Sequence, residues 1–91
     1  MVRMLQRLDR MPKPTVARVH GTAFAGGLGL IGACDIAIAA MDAMFCVSET
    51  RLGIAAATIA PYLVRAIGER QGRRYLLSGE VFTAAEAYRI G

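Results

Sequence analysis

Two groups in this sequence could hold negative charge and move a proton. The first is a glycine-rich turn, Ala25-Gly26-Gly27-Leu28-Gly29, which follows a short apolar run ending at Val19-His20. Where a strand feeds such a turn and the turn opens a helix, bare backbone N–H groups face outward and can receive a developing anion. The second is the carboxylate of Glu49, which follows another short apolar run, Met44-Phe45-Cys46-Val47. A carboxylate brought back to the same region can act as general acid or base. Together they describe an enzyme that stabilises an oxyanion while shifting a proton. The plainer alternative for Glu49 is an exposed carboxylate paired with Arg51 beside a turn.

The elements that would position these groups are legible from pattern. Residues 1–10 place leucine and methionine at helical spacing among charges, so they read as an amphipathic helix, ended by Pro12 and Pro14. A strand follows over Pro14 to His20, with Val16 and Val19 expected to be buried on both faces. Gly26 or Gly27 starts a short helix that ends near Asp35. Ile36 to Ala40 is a second strand, Met41-Asp42-Ala43 a turn and Met44 to Val47 a third strand. Pro61 suits a first helical position, and that helix runs to Ile67 with Gly68 as its stop. Glu69 to Leu77 forms a further helix closed by Ser78-Gly79. Thr83-Ala84-Ala85-Glu86 is a capping box opening a last helix to Ile90, with Gly91 as its stop, and it gives Glu86 a structural task.

The totals bound the rest. Ninety-one residues make one small domain, 1–91, and 20% charged residues in an apolar background mark globular sequence. The net charge of +4 is spread over single arginines and the pair Arg73-Arg74. With no longer basic run, nucleic acid is not expected as a partner. Most of these arginines read as solvated helix faces, with one or two free for a phosphate. Cys34 and Cys46 form no C-x-x-C, and His20 is the single histidine, so no metal site is expected. The cysteines read as buried thiols of a reducing compartment, which places the protein in the cytoplasm. The N-terminal residues lack an apolar signal core. The apolar run from Ala23 to Cys34 is too short to cross a membrane, and Asp35 interrupts it.

Gly27-Leu28-Gly29-Leu30-Ile31-Gly32 matches the dinucleotide-binding pattern G-x-G-x-x-G. Its context argues against that use. Several residues separate Val19 from Gly27, and Gly32 to Ile36 leaves about one helical turn, given ~3.6 residues per turn. A crossover helix that short is not expected to return the chain to a parallel neighbour in a Rossmann unit. No cofactor is therefore expected.

Ordered motifs along most of the chain fit a different pattern. Lys13-Pro14-Thr15-Val16-Ala17-Arg18-Val19-His20-Gly21, then Ala25-Gly26-Gly27, then Ala33-Cys34-Asp35-Ile36, resembles the signature of the enoyl-CoA hydratase/isomerase superfamily, the crotonases. The segment Phe45 to Gly53 is similar to the family's catalytic-glutamate stretch, and Tyr75 to Gly91 to a later helical motif. The resemblance implies an α/β fold: part of a spiral core of repeated ββα units, truncated at both ends. It implies an acyl-CoA thioester as substrate and no separate cofactor. Gly26 would supply one oxyanion N–H, Gly27 and Gly29 would contact substrate, and Glu49 would be the catalytic carboxylate.

The family's second oxyanion donor lies in a loop before the position of Met1, and its trimer-forming helices lie beyond Gly91. The chain is therefore expected to be about a third of a subunit and not to turn over alone, the intact parent being a homotrimer or hexamer. The family's first glutamate falls at Gly29, which has no side chain. Ala57-Thr58-Ile59-Ala60-Pro61-Tyr62 most resembles the bacterial methylglutaconyl-CoA-type hydratases, although the usual preceding proline is Ala56 here. A hydratase is the leading reading. A single-glutamate isomerase and an inactive, subunit-docking remnant are the alternatives. Asp35 and His20 read as structural, and Thr58 as a residue near the acyl group.

Overall fold

The computed structural model describes residues 2–48 and 58–91; Met1 and residues 49–57 lie outside the described residues. Helix α1 (Val2–Asp9) ends ahead of Pro12 and buries Leu5 completely. Strand β1 (Val16–Val19) is followed by β2 (Thr22–Phe24), helix α2 (Gly26–Ala33), β3 (Ile36–Ala39) and β4 (Met44–Cys46). Helices α3 (Ala60–Ile67) and α4 (Glu69–Ser78), strand β5 (Phe82–Thr83) and helix α5 (Ala84–Ile90) complete the described chain.

The strands form two small sheets. β1 pairs in parallel with β3, Val16 opposite Ile36 and Val19 opposite Ala39. β2 pairs in parallel with β4, Phe24 opposite Cys46, and β4 pairs antiparallel with β5, Phe45 opposite Phe82. The order β1-β2-α2 followed by β3-β4 is a ββα unit and the start of its repeat. Each new strand lies beside its equivalent in the previous unit, one in each sheet. The eight-residue α2 lies in the ββα crossover between the parallel strands β1 and β3, which is not the single-strand crossover of a Rossmann unit. The extra strand β2 supplies the reach that a single short helix lacks.

The alignment of the repeat is fixed by polar contacts at its edge. The Asp35 carboxylate accepts from the Thr15 N–H (2.9 Å), and the Asp35 N–H donates to the Thr15 hydroxyl (2.9 Å) and to the Thr15 carbonyl (3.1 Å). At the other end, the Ala40 N–H donates to the Val19 carbonyl (2.8 Å) and the Met44 N–H to the Gly21 carbonyl (3.0 Å). The structural role read for Asp35 matches this clamp.

The core gathers Leu5, Leu28, Phe45, Val47, Ile59, Leu63, Tyr75 and Phe82. Phe82 links the sheet to α4: its ring lies 5.3 Å from Phe45 and 4.2 Å from Tyr75. Helix α2 approaches α3 closely through small residues. A Cβ built on Gly32 would lie 3.2 Å from the backbone carbonyl of Tyr62. The outer sheet departs from the pattern reading. Val16 is 56% exposed and every residue of β3 is exposed, so β1 is not buried on both faces among the described residues. Cys46 is buried and its thiol donates to the Gly79 carbonyl, whereas Cys34 is only half-buried. His20 stands exposed at the strand end.

Thr83 caps α5 by accepting from the Glu86 N–H (3.2 Å). The return half of the box is replaced. The Glu86 carboxylate accepts instead from the Tyr75 hydroxyl (2.7 Å) and from the guanidinium groups of Arg74 and Arg89. The Arg89 partner, then the Tyr75 hydroxyl, hold Glu86 down at about 2. Burial, then the bond to Glu86, pushes Tyr75 up to about 12.

Candidate active site

The glycine-rich turn lies where β2 hands over to α2. Two hydrogen bonds fix Ala25, the residue before the helix. Its N–H donates to the Cys46 carbonyl (3.1 Å), and its own carbonyl accepts from the Gly29 N–H (3.2 Å). The carbonyl of Ala25 is thus committed along the helix axis. In a trans peptide the N–H points opposite to the C=O. The Gly26 N–H therefore points out of the N-terminal end of α2. Ala25 has no side-chain oxygen and makes no capping bond, so among the described residues the first-turn N–H groups of Gly26, Gly27 and Leu28 have no intrahelical or capping acceptor. The helix dipole adds about half a positive charge at this end.

Ala25 holds this turn in an uncommon conformation, φ 55° and ψ −118°. It is the one non-glycine residue with positive φ among the described residues. Such a conformation costs on the order of 1–3 kcal/mol and persists where surrounding bonds impose it. Here the Cys46 carbonyl on one side and Gly29 on the other impose it. Nothing in the sequence flagged Ala25, because the rule for positive φ expects glycine.

The predicted site residues separate into three groups. Gly26 is half-buried and Gly27 exposed, and a Cβ built on Gly27 meets nothing within 4 Å, so both can face a ligand. Gly29, expected to contact substrate, is buried among the described residues. A Cβ there would overlap Ile59 Cγ2 and lie 3.1 Å from Ile59 Cβ and 3.6 Å from Leu5 Cδ1. Glu49 lies outside the described residues, as do Arg51, Leu52, Gly53, Ala56 and Ala57. The described chain stops at half-buried Ser48, the residue before Glu49, and resumes at exposed Thr58. Ser48 follows Cys46 and Val47, directly beyond the strand whose carbonyl fixes Ala25. Ile59 is the second residue that sequence reading passed over. It stands in a stretch singled out by resemblance, but its partner Gly29 is remote in sequence.

Two open grooves run along α1, of about 490 and 680 Å³, and neither is lined by Gly26 or Gly27. Arg3 and Arg7 border both of them, whereas Arg65, Arg73, Arg74 and Arg89 are engaged with Asp9, Glu69, Glu80 and Glu86. Among the described residues no three His, Cys, Asp or Glu side chains are grouped to hold a metal ion, and no helix is long and apolar enough to cross a membrane.

Residues 1–91 match the family model described as enoyl-CoA hydratase/isomerase. An enoyl-CoA hydratase of Alternaria alternata is 36% identical over 92% of the chain, which covers 28% of that protein. A 4-chlorobenzoyl coenzyme A dehalogenase of Arthrobacter is 38% identical over 97% of the chain and is covered to 32%. A crystal structure of an enoyl-CoA hydratase from Shewanella pealeana superposes with a TM-score of 0.94 at 49% identity, over 98% of this chain and 34% of that one. The chain thus spans about a third of the length of the relatives it matches.

Proposed function

The chain belongs to the enoyl-CoA hydratase/isomerase family, and from that premise we propose that it carries the oxyanion-binding and proton-transfer segment of an enzyme acting on acyl-CoA thioesters. The observation that supports this reading is the bond from the Ala25 N–H to the Cys46 carbonyl. It sets the outward-facing Gly26 N–H beside the strand that runs on to Glu49. Glu49 follows Cys46 by three residues in the sequence, and the proposal puts its carboxylate to work at that helix end. Relatives named for two different reactions, a hydratase and a dehalogenase, both match this segment. What they share is therefore assigned here to handling the thioester.

In the leading reading the enzyme adds water across the C2–C3 double bond of a 2-enoyl-CoA. Hydroxide adds at C3 and a proton at C2, with the thioester oxygen held as an enolate by the Gly26 N–H. One such donor contributes roughly 3–4 kcal/mol of transition-state stabilisation. Glu49 manages the proton, and Gly27 lies beside the bound thioester. A methylglutaconyl-type acyl group is the finer form of this reading, resting on Ala57 to Tyr62. The second reading is isomerisation: Glu49 takes a proton from C2 and returns it at C4 as the double bond moves from C3–C4 to C2–C3. Gly29, which has no side chain at the position of the family's first glutamate, is consistent with it. In either reading the intact subunit extends beyond this segment, 1–91 being part of a spiral core, and assembles as a homotrimer or hexamer. The exposed apolar residues Val16, Ile36 and Ile38 support a larger assembly.

The test is to assay the intact protein carrying this segment with a 2-enoyl-CoA and a 3-enoyl-CoA. Glu49→Gln keeps the shape, removes the base and lowers turnover by about 10²–10⁴-fold. Near-normal turnover in that variant ends the assignment.

A further inference from the structure

Cys46 is the last residue of β4, and it is held from both sides. On one side the β2–β4 ladder ends at the Phe24–Cys46 pair, and the Cys46 carbonyl accepts from the Ala25 N–H (3.1 Å). On the other side the β4–β5 ladder ends one residue earlier, at the Phe45–Phe82 pair. There the side chain takes over from the backbone: the Cys46 thiol donates to the Gly79 carbonyl (3.1 Å). Cys46 is 0% exposed, so water does not compete for that bond. Gly79 is itself fixed. It closes α4 in the left-handed region, φ 64°, and its N–H donates to the Tyr75 carbonyl (3.2 Å). A continuous set of contacts thus runs from the end of α4 through Cys46 to Ala25, the residue whose conformation aims the Gly26 N–H.

We propose that Cys46 is a positioning residue: its thiol, hooked to Gly79, holds its carbonyl where it fixes Ala25 and, through Ala25, the direction of the Gly26 N–H. The inference rests on the reading of Gly26 as an oxyanion donor given above. Such a donor is effective only when it is aimed at the place where charge develops. A change of aim therefore acts on the transition state more than on the bound ground state. Loosening the hook lowers kcat and leaves KM nearly unchanged. A thiol behaves as a small apolar group in the core yet keeps one weak donor. The position needs that donor rather than the volume of the side chain.

The experiment compares substitutions at this position in the intact protein carrying the segment, assayed with a 2-enoyl-CoA and a 3-enoyl-CoA. Cys46→Ser keeps a donor, Cys46→Val keeps bulk without one, and Cys46→Ala keeps neither. Both donorless variants lower kcat by about tenfold with KM within about twofold, and Cys46→Ser stays within about threefold of the unmutated protein. Amide exchange at Ala25 follows the same order: faster in the donorless variants, protected in Cys46→Ser. Val19→Ala, a truncation in the other sheet, lowers the denaturation midpoint and moves neither readout. Should Cys46→Ala fail to fold, Cys46→Val carries the comparison. Losses that follow side-chain volume, with Cys46→Val normal, overturn the proposal, as does Ala25 exchange that is unchanged in every variant. Absence of turnover with either acyl-CoA in the unmutated protein overturns the functional reading instead. The Ala25 exchange then still decides whether the hook holds, so the two failures are distinguishable.

Discussion

Ala25 is where backbone geometry and proposed chemistry meet. Its positive φ is imposed by the hydrogen bonds to Cys46 and from Gly29, and it turns the following peptide so that the Gly26 N–H faces outward. Replacing it with glycine keeps those bonds and removes the clash of the Cβ. The relief of about 1–3 kcal/mol exceeds the cost of roughly 0.4–1 kcal/mol from the freer unfolded chain. Ala25→Gly should therefore raise unfolding free energy by about 1 kcal/mol, seen as a higher urea midpoint with an unchanged slope. An equal or lower midpoint would mean that the turn is not strained. The same residue shows what letters conceal. The Ala25-Gly26-Gly27 motif was readable as a helix start, but not the bond that orients it. Gly29, read as a substrate contact, lies against Ile59, which the sequence pattern did not show. Spacing placed it correctly in the helix; its neighbour is brought there only by tertiary folding.

At the scale of elements, the helices and the strands β1, β3 and β4 were legible, and two short strands were not. The helices at 2–9, 60–67, 69–78 and 84–90 follow apolar spacing, prolines and terminal glycines. The strands Thr22–Phe24 and Phe82–Thr83 escaped because they are too short to show a period and exist through their pairing with β4. The parallel β1–β3 pair depends on the Thr15–Asp35 clamp in a similar way, since no hairpin turn joins the two strands. Asp35→Ala removes the acceptor of the Thr15 N–H. The contacts are exposed, so the cost is on the order of 1 kcal/mol. Amide hydrogen exchange should speed up across Val16–Val19 and Ile36–Ala39 while β2, β4 and β5 keep their protection. Uniform loss of protection would show instead that the two sheets unfold as one unit.

For the whole molecule, the linkage of α4 to α5 through Tyr75 and Glu86 makes stability depend on pH from both ends. Glu86 ordinarily titrates near 4.5 and sits at about 2 in the fold. A depressed carboxylate contributes stability that is present above 4.5 and lost as pH falls toward 2, because the unfolded chain takes up the proton first. Tyr75 ordinarily titrates near 10 and is raised to about 12. Its contribution runs the other way: it is full below 10 and lost as pH rises toward 12, where the unfolded chain releases the proton more readily. Thermal unfolding between pH 2 and 12 should therefore give a plateau with a shoulder falling away on each side. Tyr75→Phe removes the phenolic proton and should flatten the alkaline shoulder. It also deletes the 2.7 Å bond to Glu86, at a cost of about 1 kcal/mol on the plateau. Glu86→Gln should flatten the acid shoulder and leave the alkaline one largely in place, since burial, the main cause of the Tyr75 shift, survives that change. If both shoulders persist unchanged in both variants, α5 is held to α4 by the packing of Ala84, Ala87 and Ile90, and the charged cluster contributes nothing to its docking.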